Sequence, residues 1–189
     1  MHDFALKPLD QSTWGDFKEL VQRHNGVWGG CWCMGFHSKG EGWGRSADLN
    51  CIEKEALVRT GKAHAALVFD GDACVGWCQF GSPDELPRIK HLKAYREGLK
   101  ALPDWRITCF FVDKVARGKG VARAALAGAL DEISALGGGS VEAYPEAVAG
   151  RKVSGSFLWG ATVEMFEAAG FTRERQLGKN HWVMRRQIG

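Results

Sequence analysis

Apolar positions along the chain fall into two rhythms: short continuous or alternating runs, and longer stretches with a helical repeat. Phe4-Ala5-Leu6 ahead of Pro8 predicts a short first strand, and Trp14, Phe17, Leu20 and Val21 predict a helix over residues 11–24, with Asp10 or Ser12 as its N-cap. Residues 26–44 show no period and many glycines and read as loop. Leu49, Ile52, Ala56 and Leu57 predict a second helix over 48–60, stopped by Gly61. Two apolar runs, 65–69 and 74–80, flank Asp70-Gly71-Asp72, the pattern of a β-hairpin. After Pro83 and Pro87, residues 88–102 carry Ile89, Leu92, Leu99 and Leu102 on one rough helical face and Arg88, Lys90, Lys93, Arg96 and Lys100 on the other.

The second half repeats the scheme. Residues 105–112 form a β-rich run, 113–117 a turn, and 120–136 an amphipathic helix ended by Gly137-Gly138-Gly139. A strand over 140–144 stops at Pro145, a helix over 157–169 stops at Gly170, and two further strands fall at 171–175 and 181–186. Helices and strands interleaved in this way predict a mixed α/β fold, taken as one domain over 1–189.

Composition narrows the function classes. The 189 residues contain 25 Lys and Arg against 22 Asp and Glu, a net charge of +3. That balance is too weak to make nucleic acid the expected partner, and it excludes no small acidic ligand such as a phosphorylated cofactor. No apolar run approaches the ~18 residues of a membrane span, and no secretory signal opens the chain, so a cytoplasmic protein with reduced cysteines and no membrane partner is expected. The 25 Gly and 8 Trp are the unusual feature, and much of the excess lies in residues 26–44.

The segment with the clearest chemistry is Phe110-Phe111-Val112-Asp113-Lys114-Val115-Ala116-Arg117-Gly118-Lys119-Gly120-Val121-Ala122. A strand enters a Gly/Lys turn that opens directly into a helix. The unpaired N–H groups of such a helix start, with its dipole, form an anion site. Gly118 and Gly120 let backbone approach a phosphate, and Arg117, Lys119 and Arg123 add positive charge. The spacing matches neither the P-loop nor the dinucleotide-fold pattern.

Arg117-x-x-Gly120-x-Ala122 after this strand resembles the acetyl-coenzyme-A signature of the GNAT superfamily of N-acetyltransferases. Phe166-Glu-Ala-Ala-Gly170-Phe171 is similar to that superfamily's late helix-to-strand signature. The resemblance implies a GNAT-like fold, with a mixed central sheet of six to seven strands and flanking helices. It implies that the backbone of Phe110, Phe111 and Val112 holds the acetyl and pantetheine arm. The N–H groups of Gly118, Lys119, Gly120, Val121, Ala122 and Arg123 would then take the pyrophosphate. It also implies transfer of acetyl from acetyl-coenzyme A, as co-substrate and without a metal, by direct attack of an amine. A homodimer is compatible with the family.

The chain departs from the family at two places. Phe166 stands where the family's acid is usually Tyr, and Trp159 where many relatives carry Asn. Glu142 and Tyr144, two apart on one strand, leave the same face ~7 Å apart. Glu142 as base, at the place some relatives put theirs, and Tyr144 as acid compete with an ion-paired strand residue and a packing tyrosine.

Gly29-Gly30-Cys31-Trp32-Cys33-Met34-Gly35-Phe36-His37 falls where GNAT proteins build the acceptor pocket. It is similar to a bacterial GNAT subgroup bearing Gly-Gly-Cys-Trp-Cys-Met. A metal site of Cys31, Cys33 and His37 with Cys51 or His24, a thiol nucleophile, and an aromatic wall of the acceptor pocket are the three readings. The C-x-C spacing favours the wall, with Cys31, Trp32 and Cys33 as pocket residues. The basic face of 88–102 is either solvated or meets an acidic acceptor or the coenzyme's 3′-phosphate. Acetyl transfer to a small-molecule amine is the leading function. A coenzyme-A-binding sensor and a protein or peptide N-acetyltransferase are its rivals.

Overall fold

The structure is a computed structural model and describes residues 3–37, 46–155 and 158–189. Trp43, part of the glycine- and tryptophan-rich loop, and Phe157, the expected start of a helix, lie outside the described residues. In chain order the elements are β1 (Ala5–Pro8), α1 (Trp14–Arg23), α2 (Ala47–Arg59), β2 (His64–Asp70), β3 (Ala73–Gly81), α3 (Leu92–Glu97), β4 (Trp105–Val112), α4 (Val121–Ala135), β5 (Gly139–Ala143), α5 (Val163–Ala168), β6 (Thr172–Leu177) and β7 (His181–Ile188). Short 3-10 turns occupy Met34–Phe36 and Lys114–Ala116.

The strands form one mixed seven-stranded sheet in the order β1-β2-β3-β4-β5-β7-β6. Neighbours are antiparallel except β4 and β5, which run parallel and pair only at Trp105–Val141, Arg106–Glu142 and Ile107–Ala143. Beyond Ile107 and Ala143 the two strands part, so β4 carries Phe110–Val112 into an opening in the middle of the sheet.

Each face of the sheet has its own core. α4 and α5 cover one face, where Ala125, Leu126, Ala129 and Phe166 pack on Ala66, Val68, Phe80 and Ile107. Gly128 permits this contact: a Cβ there would sit 3.1 Å from that of Ala66. α1 and the loop after it cover the other face, with Phe17, Leu20, Trp32 and Met34 against Leu67, Phe69 and Trp77. Burying side chains of this size contributes about 1.5–3 kcal/mol each.

Three helices differ from the sequence reading. α2 turns Asn50, Lys54 and Val58 inward and leaves Leu49 and Ile52 exposed. Its inward amino groups are paired: Asn50 Nδ2 donates to the Gly30 carbonyl at 2.8 Å, and Lys54 Nζ to Gln79 Oε1 at 2.7 Å, while Asn50 Oδ1 has no partner among the described residues. The helix expected over 88–102 shrinks to α3, so Arg88–His91 runs as irregular strap rather than as a helical face. The late helix shrinks to α5. The segment before it makes a turn at Trp159 and Gly160, and Ala161 takes a left-handed φ of 59°.

Candidate functional site

The parting of β4 and β5 creates a groove of about 570 Å³. Phe110, Phe111, Val112, Arg117, Gly118 and Ala122 line one side, and Gly155, Leu158, Trp159, Ala161, Thr162 and Met165 the other. Asp113 organises the turn at the end of β4. Its carboxylate accepts from the Val115 N–H at 3.2 Å and lies 3.2 Å from Arg23 and 3.4 Å from His24. Burial opposes its ionisation, but the Val115 N–H, His24 and Arg23 hold the carboxyl below its ordinary value.

Gly118 and Gly120 adopt left-handed φ values of 77° and 93°, which carry the turn into α4. Nothing lies within 4 Å of where a Cβ would stand on either residue. Gly120 is the N-cap and offers no side chain, and the first turn of α4 holds no acidic residue. Its N–H groups are therefore left to an external acceptor, as expected of an anion cradle. Val121 is buried and seats the helix start on β3, where a Cβ on Gly76 would come within 2.6 Å of Val121 Cγ1. Lys119 is exposed, and exposed Arg123 lines a separate groove together with Arg186. On the strand, the Phe110 N–H already donates to the Trp159 carbonyl at 2.7 Å. Val112, two residues on and so on the same edge, is the backbone position that extends past this bond.

A second cavity, of about 520 Å³, adjoins the first and shares Trp28 and Trp159 with it. It is lined by Trp28, Cys31, Cys33, Gly35 and Phe36 from the loop, Arg88–His91 from the strap, Cys109 from β4, and Trp159. The loop is a run of left-handed backbone, with positive φ from Asn25 to Gly30 and again at Trp32 and Cys33. Two of its glycines are obligatory. A Cβ on Gly26 would stand 2.6 Å from Gly30 Cα, and one on Gly30 would stand 2.4 Å from Ala47 Cβ. This tight coil presents Cys31 and Cys33 to the cavity. It sends Trp32 the other way, buried and stacked on Trp14 at 6.0 Å, so of the three expected pocket residues Trp32 belongs to the core.

Behind the cavity wall lies a buried polar network that sequence patterning missed. Cys33 Sγ is 3.0 Å from Cys109 Sγ, and Cys31 contacts the Cys33 thiol. Gln79 Nε2 donates to Thr108 Oγ1 at 3.2 Å, and its Oε1 accepts from Lys54. Lys54 Nζ also lies 3.0 Å from His37 Nε2, while His37 Nδ1 meets the Glu85 carbonyl at 3.1 Å. Because a carbonyl only accepts, Nδ1 carries the proton and Nε2 receives from the ammonium. Burial and the Lys54 charge hold His37 well below its ordinary value. Burial lowers Lys54 to about 8, against the partial compensation of the three nearby thiols. Contact with Cys33 and burial push the Cys31 thiol up, and contact with Cys109 and burial do the same to Cys33. Such thiols are weak nucleophiles. Both ring nitrogens of His37 are engaged, and among the described residues no group of three or more His, Cys, Asp or Glu side chains is arranged to hold a metal ion.

Glu142 and Tyr144 share a face and touch, the Tyr144 hydroxyl donating to Glu142 Oε2 at 3.0 Å. Neither lines either cavity. The Glu142 carboxylate also accepts from the Tyr95 hydroxyl at 2.7 Å and is ion-paired with Arg185, its cross-strand neighbour. Arg106 stands opposite Glu142 in β4, four residues and about 13 Å along the strand from Phe110. Its guanidinium lies over the Tyr95 ring at 5.4 Å. Burial, then the bond to Glu142, push Tyr95 up, and burial raises Tyr144 well above its ordinary value. Phe166 is fully buried between Phe110 and Phe171, so the position expected to hold the acid points into the core, while Met165 beside it faces the groove.

Residues 31–149 match the sequence model of the acetyltransferase (GNAT) family. Among curated proteins none matches the chain significantly in sequence. Among solved structures, an N-acetyltransferase from Staphylococcus aureus Mu50 superposes with a TM-score of 0.58 at 12% identity, over 99% of each chain. A protein from Salmonella typhimurium, described as an acetyltransferase and solved with its cofactor acetyl-CoA, gives 0.55 at 13% identity, covering 98% of this chain and 94% of the other. The ribosomal-protein-S18-alanine N-acetyltransferase of Escherichia coli gives 0.53 at 11% identity over 99% and 95%. At these identities the structural matches establish the fold.

Proposed function

Because the chain belongs to the GNAT acetyltransferase family, we propose that it transfers the acetyl group of acetyl-coenzyme A to the amine of a small molecule. The observation that carries this reading is the pair of adjoining cavities. One is backed by the side-chain-free start of α4 and the free end of β4, the other is enclosed by the loop and the strap, and both meet at Trp28 and Trp159.

The first groove fits a coenzyme with a pyrophosphate. Its left-handed glycines leave open space where a Cβ would otherwise stand, and the α4 N–H groups have no side-chain cap. Gly118, Lys119, Gly120, Val121, Ala122 and Arg123 would hold the pyrophosphate, Arg117 would add charge, and the Phe110–Val112 edge would hold the arm. With Phe110 engaged by Trp159, Val112 supplies the backbone pairing. Bound there, the coenzyme supplies an activated acetyl thioester.

The residues of the second cavity position the acceptor. Trp28, Phe36 and Trp159 exclude water and bulk, which suits a small molecule better than an extended peptide. Glu142 and Tyr144 are assigned positioning roles: their network ties β5 to α3 and β7 and fixes the far wall of the opening. With no Asp or Glu among the described lining residues, the nearby cations favour loss of the acceptor's ammonium proton to solvent. The test is release of coenzyme-A thiol from acetyl-coenzyme A with a panel of small amines. Steady, amine-dependent release is expected. Phe166, which brings no hydroxyl, favours the alternative of a coenzyme-A-binding sensor. Tight acetyl-coenzyme-A binding without turnover for any amine would decide for it.

A further inference from the structure

The charges around the second cavity narrow its substrate class. Its described lining includes Arg88 and Lys90 and no acidic side chain. Arg88 lines the cavity, and its buried Nη1 has no hydrogen-bond partner among the described residues. Lys90 Nζ lies 5.8 Å over the Trp159 ring, at the junction with the first groove. A third cation, Lys54, stands just behind Cys33. The remaining surface is apolar and aromatic: Trp28, Phe36, Ile89 and Trp159.

A plain alkylammonium entering this space would give up hydration beside fixed positive charges, which is unfavourable. We infer that the acceptor carries a carboxylate as well as its amine, on an apolar or aromatic body, as in an α-amino acid. The inference rests on the acetyl-transfer reading above. The carboxylate pairs with the Arg88 guanidinium in a charge-assisted hydrogen bond and offsets the local positive charge. A phosphate ester fits less well. Its second charge and extra oxygens need donors that an aromatic wall does not offer. The cavity volume of about 520 Å³ holds a molecule the size of an aromatic amino acid.

Matched pairs test this: L-phenylalanine against phenethylamine, and L-leucine against isoamylamine, with O-phosphoethanolamine as the phosphate probe. Thiol release gives kcat/KM for each, and calorimetry on the enzyme saturated with coenzyme A gives binding. The carboxylated member of each pair is expected to lead by about 10- to 100-fold, the worth of one charge-assisted hydrogen bond. In Arg88→Gln that ratio should collapse toward one, and Arg88→Lys should recover part of it. Retained acetyl-coenzyme-A affinity shows that the variants are folded. Equal or better use of carboxylate-free amines, preference for O-phosphoethanolamine, an unchanged ratio in Arg88→Gln, or no binding of any probe would each overturn the inference. Calorimetric preference for the carboxylate without thiol release for any amine would instead overturn acetyl transfer and leave the anion site standing.

Discussion

Lys54 is the sharpest point at which the energetics behind the site can be tested. It is 1% exposed, and burial brings its pKa from 10.5 to about 8. Between those values the unfolded chain keeps the proton and the folded chain does not. Stability contributed by this residue therefore rises with pH once pH passes 8. Linkage over this interval amounts to about 2 kcal/mol by about pH 9.5, at 1.36 kcal/mol per pKa unit. Buried thiols work in the opposite sense. Cys31, Cys33, Cys74 and Cys78 are raised in the fold, so they contribute stability at lower pH that is lost as unfolded thiols ionise. The clean quantity is the difference between the native chain and Lys54→Met, because the thiols are common to both. Urea unfolding in reductant near pH 7 and near pH 9.5 should show the native chain gaining about 2 kcal/mol relative to the variant. A difference flat to within about 0.5 kcal/mol would refute the assignment of Lys54 as a desolvated buried amine.

Three further outcomes follow from the site. Tyr144→Phe and Glu142→Gln should cost about 1 and about 1–3 kcal/mol of stability, the latter by removing one carboxylate from Arg185, which keeps Glu174 and the Ala101 carbonyl, yet keep kcat within about threefold; a fall of about 100-fold in kcat at unchanged acetyl-coenzyme-A affinity would restore them as acid and base. Gly120→Ala forces a side-chain residue to φ 93°, so thermal denaturation should show a loss of about 1–2 kcal/mol and calorimetry about tenfold weaker acetyl-coenzyme-A binding. Phe166→Tyr places a hydroxyl among Phe110 and Phe171 with no partner, so it should lose about 1–3 kcal/mol in thermal denaturation and gain no turnover.

Some of this architecture is written plainly in the sequence. The Asp70-Gly71 hairpin, the β4 run and the glycine-to-helix turn rest on local rules, and each forms where the pattern places it. α2 shows what local rules miss. Its apolar periodicity selects Leu49 and Ile52, but tertiary partners reward Asn50 and Lys54, which find the Gly30 carbonyl and Gln79. Asn50, Lys54 and Val58 stand four residues apart and so share one helix face, but that spacing carries no sign that the face is buried. The strap Arg88–His91 falls within the expected helix because Ile89 stands three residues before Leu92, the spacing of a helical face. Glu142 and Tyr144 were placed together by strand arithmetic, but two-residue spacing holds no information on Arg185, which arrives from β7. The direction of Trp32 was equally hidden, since it follows from left-handed backbone within the coil.

The three residue pairs that join β4 to β5 divide the sheet into two leaves, β1–β4 and β5–β7–β6, held at a narrow joint. α4 is the spine: its Ile133 packs in the same core as Ile107 of β4 and Ile188 of β7, and Ser134 Oγ donates to the Gly189 carbonyl at 3.0 Å. Whatever lies between Val112 on one leaf and Thr162 on the other sets the angle at which the leaves stand. A coenzyme held in the gap would bridge the two leaves, so its affinity should respond to a substitution that stiffens the joint, even far from any ligand.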